Sequence, residues 1–295
     1  MKTTVASTAA ITAGTSLANA SMQSAAAAPR AIKKSLKFPM VCVEGTILEK
    51  FKLLREIGFH GVELDSPSDL DRDEVLRAKD ETHLAIPGVI DSKHWSKPFS
   101  HPDPNVRAEG RRALETALHD AKAYGATTVL LVPAVVNKEV SYDAAYERSQ
   151  IEIREVLPLA EELGVKIAIE NVWNNFLPSP LEAARYIDEF DNPMIGWYFD
   201  VGNIVNYGWP EHWIHVLGKR ILKLDIKEFS RKKRNDEGLW KGFDVKLLEG
   251  DCDWPAVMKA LDEIGYSGWA SAEVPGGGEE RLREIAERMD RILVS

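Results

Sequence analysis

The sequence predicts an α/β protein folded as one single-domain (β/α)8 TIM barrel. Three observations carry this: alternation of β-rich and amphipathic runs, eight such runs, and glycines punctuating them. The β-rich runs fall at 38–43, 61–64, 85–90, 128–133, 166–171, 195–200, 221–226 and 269–274.

The first run leads into a helical pattern over 47–57, where apolar residues recur at three- and four-residue spacing until Gly58. The second run, Gly61-Val62-Glu63-Leu64, is short. The third, 85–90, opens into a polar and aromatic loop before a helix over 105–124 that stops at Gly125. Run 128–133 feeds a helix over 142–163, closed by Gly164. Runs 166–171, 195–200 and 221–226 are apolar until an acid near their ends. The last run, 269–274, follows Gly265 and precedes a helix over 279–293. Eight units in about 250 residues is the usual size of this barrel. No Gly-x-Gly-x-x-Gly turn supports a dinucleotide-binding alternative.

A net charge of −9 and a pI near 5.4 argue against a nucleic-acid surface, which needs clustered and unopposed Lys and Arg. A small molecule is the expected partner, and self-association into a homo-oligomer is compatible with the composition. Cys42 and Cys252 cannot supply a disulfide framework or a multi-cysteine metal site. No run reaches the roughly 18 apolar residues that span a bilayer as a helix.

Residues 1–37 differ in kind and are expected to be a leader or disordered segment, with the barrel occupying 38–295. Met1 to Pro29 are mostly Ala, Ser and Thr, with one charge, Lys2. Ala18-Asn19-Ala20 before Ser21 has the small-x-small form of a signal-peptidase site, which predicts an exported, periplasmic protein. The leader resembles that of a twin-arginine export substrate, although the arginine pair is missing. A low-complexity tail on a cytoplasmic protein is the alternative.

In a (β/α)8 barrel the chemistry sits at the C-terminal ends of the strands, so the search narrows to eight short windows. Glu170 ends the fifth run, Asp200 the sixth, Asp225 lies in the seventh and Glu273 in the eighth. Four acids gathered in a partly dry mouth repel one another unless a cation neutralises them, and a divalent metal is the simplest such cation. Oxygen ligands favour Mg²⁺ or Mn²⁺, and an added nitrogen ligand would favour Mn²⁺ or Co²⁺. A multi-histidine zinc cluster is not available, because only His94 and His101 fall in a loop that overhangs the mouth.

That loop contains His94 and Trp95, where an aromatic ring beside hydrogen-bonding groups suits a sugar. Trp173, just past Glu170, has the same character. Glu63 is expected either to face the pocket or to make a buried structural hydrogen bond, and Lys227 to share the strand face of Asp225. The connection after the seventh run, about 229–253, carries Arg231-Lys232-Lys233-Arg234, either a phosphate grip or a solvated charge run.

Taken together, Ile169-Glu170-Asn171, Asp200-Val201-Gly202-Asn203, Asp225-Ile226-Lys227-Glu228 and Ala272-Glu273-Val274 resemble the xylose-isomerase-like barrel superfamily. Within it they resemble the sugar and sugar-phosphate isomerases and epimerases, including ketose 3-epimerases. The resemblance implies metal ligation by Glu170, Asp200 and Glu273, with the two glutamates also moving protons at the sugar carbon. Two departures stand out. A substrate-facing histidine becomes Asn203, and the usual histidine ligand becomes Asp225. The Glu63 environment also resembles the family's Gly-x-Glu pattern.

The expectation is therefore a metal-dependent isomerase or epimerase of a ketose or related sugar, working by proton transfer through an enediolate, with Glu170 and Glu273 as acid and base. Substrate contacts are expected from Asn203, Lys227, His94, Trp95 and Glu63. Alternatives are a metal-dependent lyase or hydrolase on an oxidised sugar or glycoside, and a non-catalytic sugar-binding barrel. The superfamily's DNA-repair endonucleases need several zinc-binding histidines and a basic groove, and both are missing.

Overall fold

The computed structural model describes residues 1–4 and 30–295. In chain order these form β1 (Ile32–Leu36), α1 (Ile47–Ile57), β2 (Leu64–Ser66), α2 (Arg72–Thr82), β3 (Gly88–Asp91), α3 (Pro104–Tyr124), β4 (Thr128–Leu131) and α4 (Tyr142–Leu163). There follow β5 (Lys166–Glu170), α5 (Pro180–Asp188), β6 (Ile195–Asp200), α6 (Val201–Val205), α7 (Pro210–Leu217), β7 (Ile221–Ile226), α8 (Arg231–Glu237), α9 (Trp254–Glu263), β8 (Gly268–Ala272) and α10 (Glu279–Leu293).

The strands form one parallel sheet in the order β1-β8-β7-β6-β5-β4-β3-β2. The ring closes between β1 and β2 through a parallel bridge of Lys37 with Glu63, supported by Glu63 N–H donating to Leu36 O and Phe38 N–H donating to Glu63 O. Helix starts are fixed by side chains that accept orphan amides: Thr46 and Glu49 form a capping box on α1, and Asp71, Asp103, Ser179 and Asp253 cap α2, α3, α5 and α9. Gly58, Gly125, Gly164 and Gly265 take positive φ at or just past the ends of α1, α3, α4 and α9, as their sequence positions predict.

Alternation along the strands sorts residues into two environments. Outward positions such as Ile167, Ile169, Trp197, Phe199, Leu224 and Ile226 pack under the helices in the main core. Inward positions build a narrow interior with an apolar patch of Leu130, Ala168 and Tyr198 and, nearby, the buried polar residues Lys37, Glu63 and Lys223.

The first strand corrects the sequence expectation. It runs Ile32–Leu36 rather than 38–43, and Phe38–Met40 is a 3-10 turn with Pro39 inside it. Its polar stretch Lys33-Lys34-Ser35 carries little apolar signal, whereas Phe38-Pro39-Met40-Val41 carries more and turns away. The barrel thus begins inside the segment assigned to the leader. Arg30 is already tied down, donating to both carboxylate oxygens of Asp262 and to Leu293 O and Ser295 O. The Ala18-Asn19-Ala20 site lies outside the described residues.

Candidate active site

Four strands deliver the acids. Glu170 is the last residue of β5 and Asp200 the last of β6; Asp225 lies on β7, and Glu273 follows β8. One oxygen from each lies within 4.8 Å of those of the other three, a spread that a single ion with oxygen ligands at about 2.0–2.6 Å can bridge. Asp200 and Asp225 are fully buried and Glu170 nearly so, while Glu273 is partly exposed toward the mouth.

Local motifs hold this arrangement. Asn171 is a clamp: its Oδ1 accepts from Asp200 N–H and the Trp197 indole, and its Nδ2 donates to Asp200 O. Asp200 Oδ1 accepts from Asn203 N–H at 2.8 Å and so caps α6, leaving Oδ2 for the centre. Gly202 is required because α6 presses on β7. A Cβ there would sit 2.7 Å from the Lys227 carbonyl carbon and 2.8 Å from its Cβ.

Two lysines reach the acids. Lys227 Nζ lies 2.8 Å from Asp200 Oδ2 and 3.4 Å from Glu273 Oε2, and Lys37 Nζ lies 2.9 Å from Asp225 Oδ1. These approaches lack hydrogen-bond angles. Asp200 Oδ2, both Asp225 oxygens and Glu273 Oε2 are thus buried with no hydrogen-bond partner among the described residues. Lys37 also contacts Glu63 Oε2 at 2.9 Å, and Lys223 contacts Glu63 Oε1 at 2.9 Å. Around the cluster carboxylates outnumber ammonium groups, and an all-oxygen donor set with orphaned buried oxygens fits a hard divalent cation.

The electrostatics bear the same mark. Burial pushes Glu170 well above the usual carboxylate range, and Glu273 and Asp200 push further. Asp225 is also driven well up by burial, against relief from Lys37 and with a further push from Glu273, Glu170 and Glu63. For Glu273 the burial penalty is overcome by Lys227 and Lys37, which hold it down at about 2. A cation held among these carboxylates would relieve that repulsion.

Beside the acids opens a cavity of about 350 Å³, lined by Lys37, Asp65, His94, Trp95, Glu170 and Glu273 together with apolar residues including Met40, Ile90 and Leu130. His94 and Trp95 are both on this wall, their rings edge to face at 5.7 Å. Glu63, Asn203 and Lys227 do not line it. Both Glu63 oxygens are taken by Lys37, Lys223 and the Tyr198 hydroxyl, the buried structural role that the sequence leaves open beside a substrate contact. Asn203 spends its Nδ2 on Asn171 O, and its Oδ1 lies 3.5 Å from Lys227 Nζ. Trp173 donates to Asn203 O and packs against Phe229, Trp240 and Phe243, making a wall.

Sequence reasoning missed Lys37 and Asp65. Asp65 shares the inward face of Glu63 but sits one layer nearer the mouth, a position readable only once β2 is known to reach Ser66. In the seventh connection, Glu228 is an internal anchor. Its carboxylate accepts from the N–H groups of Leu248, Phe229 and Cys252 and from the Trp254 indole.

The chain shows clear likeness to known proteins. It is 27% identical over 256 residues to L-ribulose-5-phosphate 3-epimerase UlaE of Escherichia coli O1:K1 / APEC, covering 82% of this chain and 87% of that one. Its fold matches the crystal structure of a D-tagatose 3-epimerase-like protein with a TM-score of 0.76 at 18% identity, over 89% of this chain and 97% of that one. It also matches the 3-keto-D-glucoside 4-epimerase YcjR from E. coli with a TM-score of 0.75 at 17% identity, over 90% of this chain and all of that one. The family model described as xylose isomerase-like TIM barrel matches residues 51–292. With eight parallel strands in a ring, four acids converging at its mouth and that match across most of its length, the chain belongs to the xylose isomerase-like TIM barrel family.

Proposed function

We propose that this protein is a divalent-metal-dependent epimerase or isomerase of a ketose or related sugar, acting by proton transfer. The observation that carries the reading is the convergence of Glu170, Asp200, Asp225 and Glu273 beside a sugar-sized cavity. Relatives named as sugar epimerases support the reaction class. A bound divalent cation would supply charge stabilisation for the enediolate formed when the carbon-bound proton leaves.

The chain's own residues do the rest. Glu170 and Glu273, from β5 and the end of β8, belong both to the acid cluster and to the cavity wall, so they are placed to take and return a proton at a substrate carbon. Lys227 steadies Glu273 and Asp200, and Lys37 steadies Asp225. Trp95 and His94 offer a ring face and a polar edge that orient a sugar and narrow the access of water.

The test is a ketose panel in D2O with Mn²⁺ or Mg²⁺, followed by NMR. Deuterium at the carbon beside the carbonyl, lost on chelation and restored by metal, supports the proposal. Protein that holds stoichiometric metal yet exchanges no ketose proton overturns it. Export is a further proposal, resting on the leader sequence alone. A periplasmic protein beginning at Ser21 supports it, and retention of Met1 refutes it; either start leaves Arg30 and the barrel intact.

A further inference from the structure

We infer that the substrate is an uncharged, non-phosphorylated sugar. The inference rests on the epimerase reading and narrows it, and it sets this chain apart from the relatives named for ribulose 5-phosphate.

The first ground is the charge of the cavity wall. Its wall carries three carboxylates, Asp65, Glu170 and Glu273, and one ammonium group, Lys37; a divalent cation held by Glu170 and Glu273 would answer their charge and leave Asp65 against Lys37. Lys37 is already committed to Glu63, Asp225 and the Tyr198 hydroxyl. His94 adds no charge, since burial brings it down to about 4, and its Nδ1 accepts from Val132 N–H. A phosphate ester needs convergent cationic or amide donors to offset its desolvation, and near carboxylates it is repelled.

The second ground lies where this fold ordinarily holds a phosphate, the loops after strands seven and eight with a helix N-terminus. Several of the donors there are already occupied, and the cations that line the cavity between these loops, Lys233, Lys246 and Arg281, are bonded to Asp244 O or paired with Glu284. Arg231 N–H donates to Asp251, and Lys233 N–H to the Ser230 hydroxyl. The first turn of α10 carries Glu279 and Glu280. The basic run is spent on the loop itself: Arg231 binds Val205 O and Gly208 O, Arg234 binds Asn206, Lys232 pairs with Asp236, and Lys233 binds Asp244 O. What remains suits hydroxyls, with carboxylate acceptors on one side and the exposed Trp95 ring on the other.

The test compares matched pairs, L-ribulose with L-ribulose 5-phosphate and D-fructose with D-fructose 6-phosphate, on metal-loaded protein in D2O. Free sugars should exchange with kcat/KM about 100-fold or more above their esters, the penalty expected when a charged group is desolvated without partners. Inorganic phosphate at about 10 mM should leave Tm within about 2 °C of its starting value. Esters that match or exceed the free sugars overturn the inference and leave the epimerase reading standing. If neither series exchanges, the epimerase reading has failed. The charge inference is then decided by the thermal arm, where stabilisation by the free sugars and not by inorganic phosphate or the esters upholds it, and any other result refutes it.

Discussion

The Lys37 ammonium lies 2.9 Å from Asp225 Oδ1 and 2.9 Å from Glu63 Oε2, so one buried lysine joins the acid cluster to the floor of the barrel. Removing one partner of such a pair leaves an uncompensated charge in a dry place. Lys37→Met should therefore cost about 3–5 kcal/mol of stability, read by urea denaturation. Adding Asp225→Asn should recover part of that loss, because neighbours in one ion-pair network are not additive. Losses that add, with Asp225→Asn alone measured to complete the cycle, would show that the two groups do not interact.

Glu170→Gln and Glu273→Gln should each lower deuterium exchange into substrate by roughly 10²–10⁴-fold, while sugar binding changes little. An amide keeps the shape but cannot carry the proton. Metal content, measured on the same samples, separates lost proton transfer from lost ligation. Undiminished turnover in both variants with metal retained would remove the two-glutamate mechanism.

Gly202→Ala should destabilise the protein by about 1–3 kcal/mol, since its methyl group would press on the Lys227 backbone and side-chain stem. The same pressure displaces the Lys227 ammonium from Asp200 and Glu273. Calorimetry should show a lowered Tm. An unchanged Tm would mean α6 shifts freely over β7.

Glu228→Ala removes the acceptor shared by Leu248 N–H, Cys252 N–H and the Trp254 indole. Limited proteolysis should then cut within the segment between Phe229 and Asp253 well before the rest of the barrel. Resistance equal to that of the parent would show that the segment is held by its aromatic packing alone.

Asp91 titrates away from the acid cluster. Burial raises it to about 7, with only partial relief from Lys93, and its Oδ2 has no hydrogen-bond partner among the described residues. A raised carboxyl pKa means that the folded state binds the proton more tightly than the unfolded one. Stability from this group is therefore complete below about pH 4 and falls as pH rises toward 7 and beyond. Asp91→Asn should remove that slope and stabilise the protein at pH 8 by roughly 3–4 kcal/mol at most. A parent stability profile flat from pH 4 to 8, unchanged in the variant, would contradict this.

The sequence makes the acid cluster legible because each member interrupts or ends an apolar strand run, as in Lys166-Ile-Ala-Ile-Glu170. β6 and β7 match their expected bounds for the same reason. β1 was hidden because it is lysine-rich and its neighbouring turn is more apolar. Lys37 was hidden with it, since a lysine ahead of an expected strand reads as solvent-facing. The basic run of the seventh connection could not be resolved from sequence, because whether Arg231 and Arg234 grip a ligand or their own loop depends on where Val205 O, Asn206 and Gly208 O fall.

The seam between β1 and β2, where the ring closes through Lys37 and Glu63, is also where the cluster on β7 finds its counter-charge. Residues 37 and 225, nearly two hundred positions apart, are therefore tied electrostatically. Replacing Asp225 with a neutral nitrogen ligand while keeping Lys37 would leave that ammonium to Glu63, which Lys223 already shares, and so shift positive charge toward an incoming cation. A redesign of this centre from carboxylate to imidazole ligation therefore has to treat residues 37 and 225 together.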